Sequence, residues 1–343
     1  MFLLLHFTSY GTIILIDIQE DFMKNILILT PCHERHKHML QQAANEQCNL
    51  QYIDNNTSCS AISEAIRKAN VIIGQPELTD LQNAPALEWV QMSWAGTDKY
   101  TNTSGFPTHV TLTNASGAFG SIISEHVFAG ILSLYRRLSC YQVQQKKHIW
   151  RDCGAEKTIE GNRVLILGTG DIGTNLAKRF HVFGAHIVGL RRNTQDIPKY
   201  FHEIASIDTL VQQLPLADIV IGCVPGTTST ENLLDGKHLA MMKADATLVN
   251  VGRGSLIDTD ALALLMGQGH LFGAVLDVTN PEPLPQNHPL WSLKNVILTP
   301  HVSGVSFGHS PRTEDKIYEI CCDNLQRYLN HQPLKNEIIW NRT

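Results

Sequence analysis

The stretch VLILGTGDIG, Val164 to Gly173, decides the fold. A short apolar run, Val164 to Leu167, enters a glycine-rich turn. Gly168, Gly170 and Gly173 form G-x-G-x-x-G, and a helix-like segment follows. This is the dinucleotide-binding fingerprint in the strand-turn-helix context it requires. Gly168 would allow the tight turn, Gly170 the close approach of a pyrophosphate, and Gly173 close packing of helix on strand. The free N–H groups of the first helical residues, Asp171 and Ile172, would point at the phosphates.

Outward from that turn, strands alternate with helices, which predicts α/β architecture with parallel sheets. After the fingerprint come a helix from Ile172 to Val182 and a strand from His186 to Leu190, ending in Arg191-Arg192. Arg191 lies 18 residues beyond Gly173, where an acidic residue would bind the ribose 2′-hydroxyl of NAD. Arginine there suits a 2′-phosphate by charge and fork geometry, so NADP(H) is favoured over NAD(H). Further strands are expected over Asp218–Val224, Thr247–Val251, Leu271–Val278 and Asn295–Leu298. Arg253, Glu282 and His301 lie at or beyond the carboxyl ends of the last three. An Arg between glycines can grip a carboxylate bidentately. A His near a Glu can serve as general acid/base with a raised pKa.

Before the fingerprint, short apolar runs at Ile26–Leu29, Leu50–Ile53, Val71–Ile73 and Glu88–Gln91 make a first α/β unit. The loop SWAGTD, Ser93 to Asp98, follows the last of them, where backbone N–H groups can meet an anion. The run HERHKH from His33 to His38 lacks metal-ligand spacing and is expected to be a solvated helix start. Gly120 to Tyr141 is long and helical, with a basic turn at Arg136-Arg137 and a polar helix beyond. A last helix is expected from about Ser306 to Tyr328, returning to the first unit.

The bulk numbers exclude little but exclude it firmly. The 343 residues are 43% hydrophobic and 17% charged, enough for two domains. A net charge of -5 gives no reason to expect nucleic acid or an anionic membrane as partner. The eight cysteines form no C-x-x-C pair and suggest no metal site. Scattered thiols in a large α/β chain predict a reducing, cytoplasmic setting. Met1 to Phe22 is apolar at the front but lacks a basic n-region and is interrupted by Asp17. The pattern restarts at Met23, so Met23 is expected to be the natural start and residues 1–22 a poorly ordered extension. N-terminal sequencing of native protein tests this.

GTGDIG, NVGRGSLID (Asn250 to Asp258), LDVTNPEPLP (Leu276 to Pro285) and LTPHVSG (Leu298 to Gly304) together resemble the D-isomer-specific 2-hydroxyacid dehydrogenase family. SWAGTD and TNASGAFGSIISEH are similar to it as well. The resemblance implies two Rossmann-like domains with parallel sheets and an active site in the interdomain cleft. Residues 23–118 plus 302–343 would form the substrate domain and 119–301 the dinucleotide-binding domain. It implies that Arg253 binds the substrate carboxylate, that His301 gives a proton to the carbonyl oxygen, and that Glu282 orients His301 and favours its protonated form. Gly96 and Thr97 would hold the carboxylate through backbone groups. Asp277 would face the nicotinamide carboxamide. Cys223, Val224, Pro225, Thr230 and Val251 would line the cofactor, with Arg191 and Arg192 at its far ribose. The implied protein is a homodimer reducing a small 2-oxoacid, such as glyoxylate or hydroxypyruvate, with NADP(H). The alternatives are an NAD(H) enzyme acting on another hydroxyacid such as 3-phosphoglycerate, or a non-catalytic dinucleotide-sensing protein.

Overall fold

A computed structural model describes residues 6–7, 13–14, 23–54, 56–192 and 194–340. The expected extension over 1–22 lies largely outside the described residues. The chain divides into two compact units, 1–116 with 314–343, and 117–313. Residues 302–313, expected with the first unit, therefore stay with the second. The reason is local: the N–H groups of Val302 and Ser303 both donate to the Asp277 carboxylate, at 2.9 Å each.

The second unit holds a seven-stranded, all-parallel sheet. Across it run Glu203–Ser206, His186–Arg191, Arg163–Leu167, Ile219–Gly222, Thr247–Asn250, Gly273–Leu276 and Val296–Leu298. In chain order this is 3-2-1-4-5-6-7, the doubly wound order whose direction reverses beside the first strand. The central strands are largely apolar because helices cover both faces. Val164, Leu165, Ile166 and Leu167 are each at most 1% exposed, and complete burial of such a side chain is worth roughly 1.5–3 kcal/mol. The sheet is parallel, so every strand ends on the same edge. That edge collects the turns that follow Leu167, Arg191, Gly222, Asn250, Leu276 and Leu298.

The first unit holds a five-stranded parallel sheet, in spatial order Cys48–Tyr52, Lys24–Ile28, Val71–Ile73, Trp89–Gln91 and Thr111–Thr113. The helix Glu34–Ala44 corrects the expectation for HERHKH. His33 and His38 are exposed, but His36 is fully buried, stacked on Tyr318 with ring centroids 4.1 Å apart. Its Nε2 lies 2.9 Å from Asp315 Oδ1. His36 shares the inward face with Leu40, Ala43 and Ala44.

The expected long helix at 120–141 breaks after Tyr135, and a second helix runs from Leu138 to Lys146. Arg137, between them, takes a left-handed backbone with φ 55°. The chain then reverses, and Cys140 and Cys153 are joined by a disulfide with Cα atoms 6.4 Å apart. This corrects the expectation of scattered thiols only. The Tyr141 hydroxyl donates to Asp152 at 3.0 Å and accepts from Cys153 N at 3.2 Å, which brings the pair together. Among the described residues no helix is long and apolar enough to cross a membrane.

Candidate active site

The glycine turn is built as its sequence requires. Gly168 has φ 103°, a left-handed value that suits glycine. A Cβ on Gly173 would stand 2.0 Å from the Gly168 carbonyl oxygen, so helix and strand pack with no room for a side chain. A Cβ on Gly170 would meet, beyond its own chain neighbours, no atom of the described residues within 4 Å. The turn is thus crowded toward the sheet and open at its tip, the shape that a pyrophosphate needs. The helix Asp171–Val182 starts here. The Asp171 carboxylate accepts from Gly120 N at 2.7 Å and from Asn175 Nδ2 at 3.0 Å. What Asp171 and Ile172 can offer an anion is therefore backbone N–H.

The neighbouring strand end braces the turn. Cys223 Sγ lies 3.2 Å from the carbonyl oxygens of Leu167 and Gly168, and burial pushes its thiol pKa up to about 12. Cys223 is thus a packing thiol, not a nucleophile. The Thr230 hydroxyl donates to the Pro225 carbonyl at 2.7 Å and accepts from Thr227 N at 2.9 Å, which folds the loop after Val224.

At the end of the strand His186–Arg191, the Arg191 guanidinium donates through Nη2 to the Asp196 carbonyl. Its Nε is buried with no hydrogen-bond partner among the described residues. A buried guanidinium N–H without an acceptor is costly and suits an arriving anion. Arg192 is exposed.

The turn Gly252-Arg253-Gly254 is held by a residue not singled out from the sequence. Buried Asn250 accepts from Gly252 N at 3.1 Å and donates to the Arg253 carbonyl at 2.9 Å. Buried Val251 lies between them. A Cβ at Gly252 would stand 2.7 Å from the Val224 carbonyl oxygen, and one at Gly254 would stand 1.8 Å from that of Thr279. Both glycines let three strand-end loops close on one another. Arg253 Nη1 donates to the Gly252 carbonyl at 2.9 Å.

His301 Nδ1 lies 2.7 Å from Glu282 Oε1, with both side chains about half exposed. A carboxylate only accepts, so Nδ1 is the donor, and Nε2 is the ring nitrogen that can pass a proton elsewhere. Asp277, 1% exposed, anchors the His301 turn. Its Oδ1 accepts from the Thr299 hydroxyl at 2.6 Å and from Val302 N, and its Oδ2 accepts from Ser303 N. Burial pushes the Asp277 pKa up, but the hydrogen bonds from Ser303 and Thr299 outweigh it and hold it below the usual carboxylate value.

Gly96 and Thr97 lie in the first unit, in the loop between Gln91 and the short helix Asp98–Thr101. That loop is pinned by Asn114 Nδ2 donating to the Ala95 carbonyl at 2.6 Å and by Ala115 N donating to that of Trp94 at 2.9 Å. Among the described residues no group of three His, Cys, Asp or Glu side chains could hold a metal ion.

A 3-2-1-4-5-6-7 parallel sheet with this glycine turn at its reversal point defines a dinucleotide-binding domain. Residues 128–303 match the family described as D-isomer specific 2-hydroxyacid dehydrogenase, NAD binding domain. A glyoxylate reductase of Aeropyrum pernix is 31% identical over 66% of this chain and 70% of its own length. A glyoxylate/hydroxypyruvate reductase of Arabidopsis thaliana is 28% identical over 79% of this chain and 83% of its own. The crystal structure of a D-isomer specific 2-hydroxyacid dehydrogenase family protein from Aeromonas salmonicida superposes with a TM-score of 0.82, at 31% identity, over 93% of this chain and 100% of that one. An NADPH-dependent glyoxylate/hydroxypyruvate reductase from Sinorhizobium meliloti, solved with NADP and sulfate, shares the fold at a TM-score of 0.75 and 21% identity, over 92% and 98%. The chain belongs to the D-isomer specific 2-hydroxyacid dehydrogenase family. It is an NAD(P)-dependent D-2-hydroxyacid dehydrogenase.

Proposed function

We propose that this protein reduces a small 2-oxoacid of the glyoxylate or hydroxypyruvate class to the D-2-hydroxyacid, with NADPH preferred to NADH. The observation that carries the reading is the 2.7 Å contact between His301 Nδ1 and Glu282 Oε1. It supports Nε2 as the nitrogen of His301 that acts as the acid. When bound, the nicotinamide cofactor supplies the hydride. His301 gives its Nε2 proton to the carbonyl oxygen, while Glu282 keeps the Nδ1 proton and the ring orientation. Arg253 binds the substrate carboxylate and draws charge from the carbonyl beside it. The N–H groups of Asp171 and Ile172 hold the pyrophosphate. Arg191 and Arg192 hold the 2′-phosphate, and the Arg191 Nε, buried with no partner among the described residues, supports that role.

The substrate class is supported by the relatives from Aeropyrum and Arabidopsis, whose names specify glyoxylate and hydroxypyruvate. The Sinorhizobium complex supports only that this fold accommodates NADP in that protein. The same reading makes the protein a homodimer built on the second unit, supported by the exposed apolar side chains of Leu138, Val143 and Trp150.

The test is a set of initial rates with NADPH and NADH across glyoxylate, hydroxypyruvate, pyruvate and bulkier oxoacids. Chiral analysis of the hydroxypyruvate product accompanies it. The expected result is kcat/KM at least about tenfold higher with NADPH, highest for the two smallest polar oxoacids, and a D product. No turnover of any oxoacid, or a preference for NADH, overturns the reading in its catalytic or its cofactor part respectively.

A further inference from the structure

The turn that carries His301 is closed in part by its own backbone, His301 N donating to the Thr299 carbonyl at 3.1 Å, and in part from outside. His301 takes φ 55°, in the left-handed region that residues with a Cβ seldom occupy. Such a conformation persists only where the surroundings over-determine it. Here the support is a short chain of hydrogen bonds that reaches away from the turn. His301 N donates to the Asp277 carbonyl at 2.8 Å. The next two N–H groups, of Val302 and Ser303, donate to the two oxygens of the Asp277 carboxylate. The Thr299 hydroxyl gives its single proton to Asp277 Oδ1 at 2.6 Å.

Thr299 Oγ1 also lies 3.1 Å from His126 Nε2, 173 residues away in the sequence on the helix Gly120–Tyr135. The threonine proton is committed to a carboxylate that can only accept. Thr299 must therefore accept from His126, which fixes the proton on Nε2. The direction of the chain is set: His126 Nε2–H to Thr299 Oγ1–H to Asp277 Oδ1. Each bond polarises the next, and the chain ends at a buried anion. His126 Nε2 itself is 4.0 Å from Asp277 Oδ1, too far for a direct hydrogen bond, so Thr299 is the link.

We propose that His126 and Thr299 are positioning residues for His301, acting through Asp277 on the turn Thr299–Ser303. The inference rests on His301 being the proton donor. Neither residue has to touch substrate. Together they keep the Asp277 carboxylate where it can hold the two N–H groups that follow His301, and so keep the imidazole in register with Glu282. Displacement of a catalytic group by about 1 Å costs as much as 100-fold in rate.

The experiment compares Thr299→Val, Thr299→Ser, His126→Leu, the Thr299→Val/His126→Leu double variant and His301→Ala. Readouts are kcat and KM for the oxoacid, the dissociation constant of NADPH from protein fluorescence, and thermal melting. Thr299→Val is expected to lower kcat roughly 10- to 100-fold with the NADPH dissociation constant within about threefold. Thr299→Ser, which keeps the hydroxyl, is expected within about threefold of the parent on every readout. His126→Leu falls between them, and the double variant falls no more than about twofold below Thr299→Val, because the two act in one chain. An unchanged kcat in Thr299→Val, or a loss confined to NADPH affinity, overturns the proposal while His301→Ala still collapses. Turnover surviving in His301→Ala overturns the proton-donor assignment instead. If Thr299→Val does not fold, unchanged kcat in His126→Leu overturns the proposal.

Discussion

His301 Nδ1 and Glu282 Oε1 stand 2.7 Å apart, each carried by a turn beyond the carboxyl end of a different strand, Val296–Leu298 and Gly273–Leu276. Adjacent parallel strands put the two turns side by side, so the contact follows from topology and not from sequence proximity. If this pair moves the proton, His301→Ala lowers kcat by roughly 10²–10⁴-fold, the usual scale for acid–base groups. Glu282→Gln keeps the ring but weakens its orientation, and its loss in kcat is smaller. Steady-state kinetics at saturating cofactor check both, and full turnover in His301→Ala sinks the assignment.

Arg253 sits one strand further across the same edge, in a turn clamped by Asn250. A guanidinium held there and paired with a substrate carboxylate contributes charge-assisted hydrogen bonds worth about 1.5–3 kcal/mol. Arg253→Ala should therefore raise KM for the oxoacid by about 10- to 100-fold, with a lesser fall in kcat. A variant with unchanged KM and reduced kcat alone would point to a role in chemistry rather than in binding.

Arg191 bears on the cofactor's identity. Its Nε is buried without an acceptor among the described residues, while Nη2 already serves the Asp196 carbonyl. A 2′-phosphate would supply the missing acceptor. Arg191→Asp should weaken NADPH by roughly 10- to 100-fold while changing NADH by less than about threefold. Isothermal titration with both cofactors separates the outcomes: equal losses mean that Arg191 only shapes the loop.

Most of this architecture was legible because buried parallel strands write themselves as short apolar runs. Val164 to Leu167 is one such run. Thr111–Thr113 and Glu203–Ser206 escaped because they are edge strands without an apolar run, and in the second every residue is at least partly exposed. The strand-end residues Arg253, Glu282 and His301 could be found because each follows a recognisable strand. The links from His126 to Thr299 and from Asn250 to its own turn could not, since neither the distance nor the direction of a side chain is encoded in spacing. His36 departs from its expected exposure for a different reason. Its helix is polar in composition, yet His36, Leu40, Ala43 and Ala44 recur at intervals of four, three and one, which is one helical face.

That burial has a consequence for stability. Removal from water lowers the His36 pKa below the ordinary histidine value, against the opposing pull of its Asp315 hydrogen bond, with Arg35 and Glu314 also nearby. The unfolded chain therefore binds a proton more readily than the folded one. Stability rises with pH wherever the unfolded state holds more protons. The His36 contribution is complete above the unfolded value of about 6.5 and is lost as pH falls through it toward the folded value. Melting temperatures from pH 7.5 to 5 should fall less steeply in His36→Gln than in the parent. Parallel curves would show that His36 is not the group responsible.

The two later glycines of the fingerprint should fail in different ways. Gly173 is closed in: a Cβ there would stand 2.0 Å from the Gly168 carbonyl oxygen and 3.0 Å from its carbon, both backbone atoms that cannot turn aside. Gly170 has an extended backbone at φ -75°, ψ -153° and, beyond its own chain neighbours, no atom of the described residues within 4 Å of where a Cβ would be. Gly173→Ala should therefore destabilise the second unit by about 1–3 kcal/mol, the scale of overpacking, even without cofactor. Gly170→Ala should melt like the parent yet bind NADPH at least about tenfold more weakly, because the added methyl group occupies the side from which a pyrophosphate would approach. Thermal melts without cofactor, paired with fluorescence titration of NADPH, distinguish them. If Gly170→Ala binds NADPH as the parent does, the phosphates do not sit against the tip of this turn.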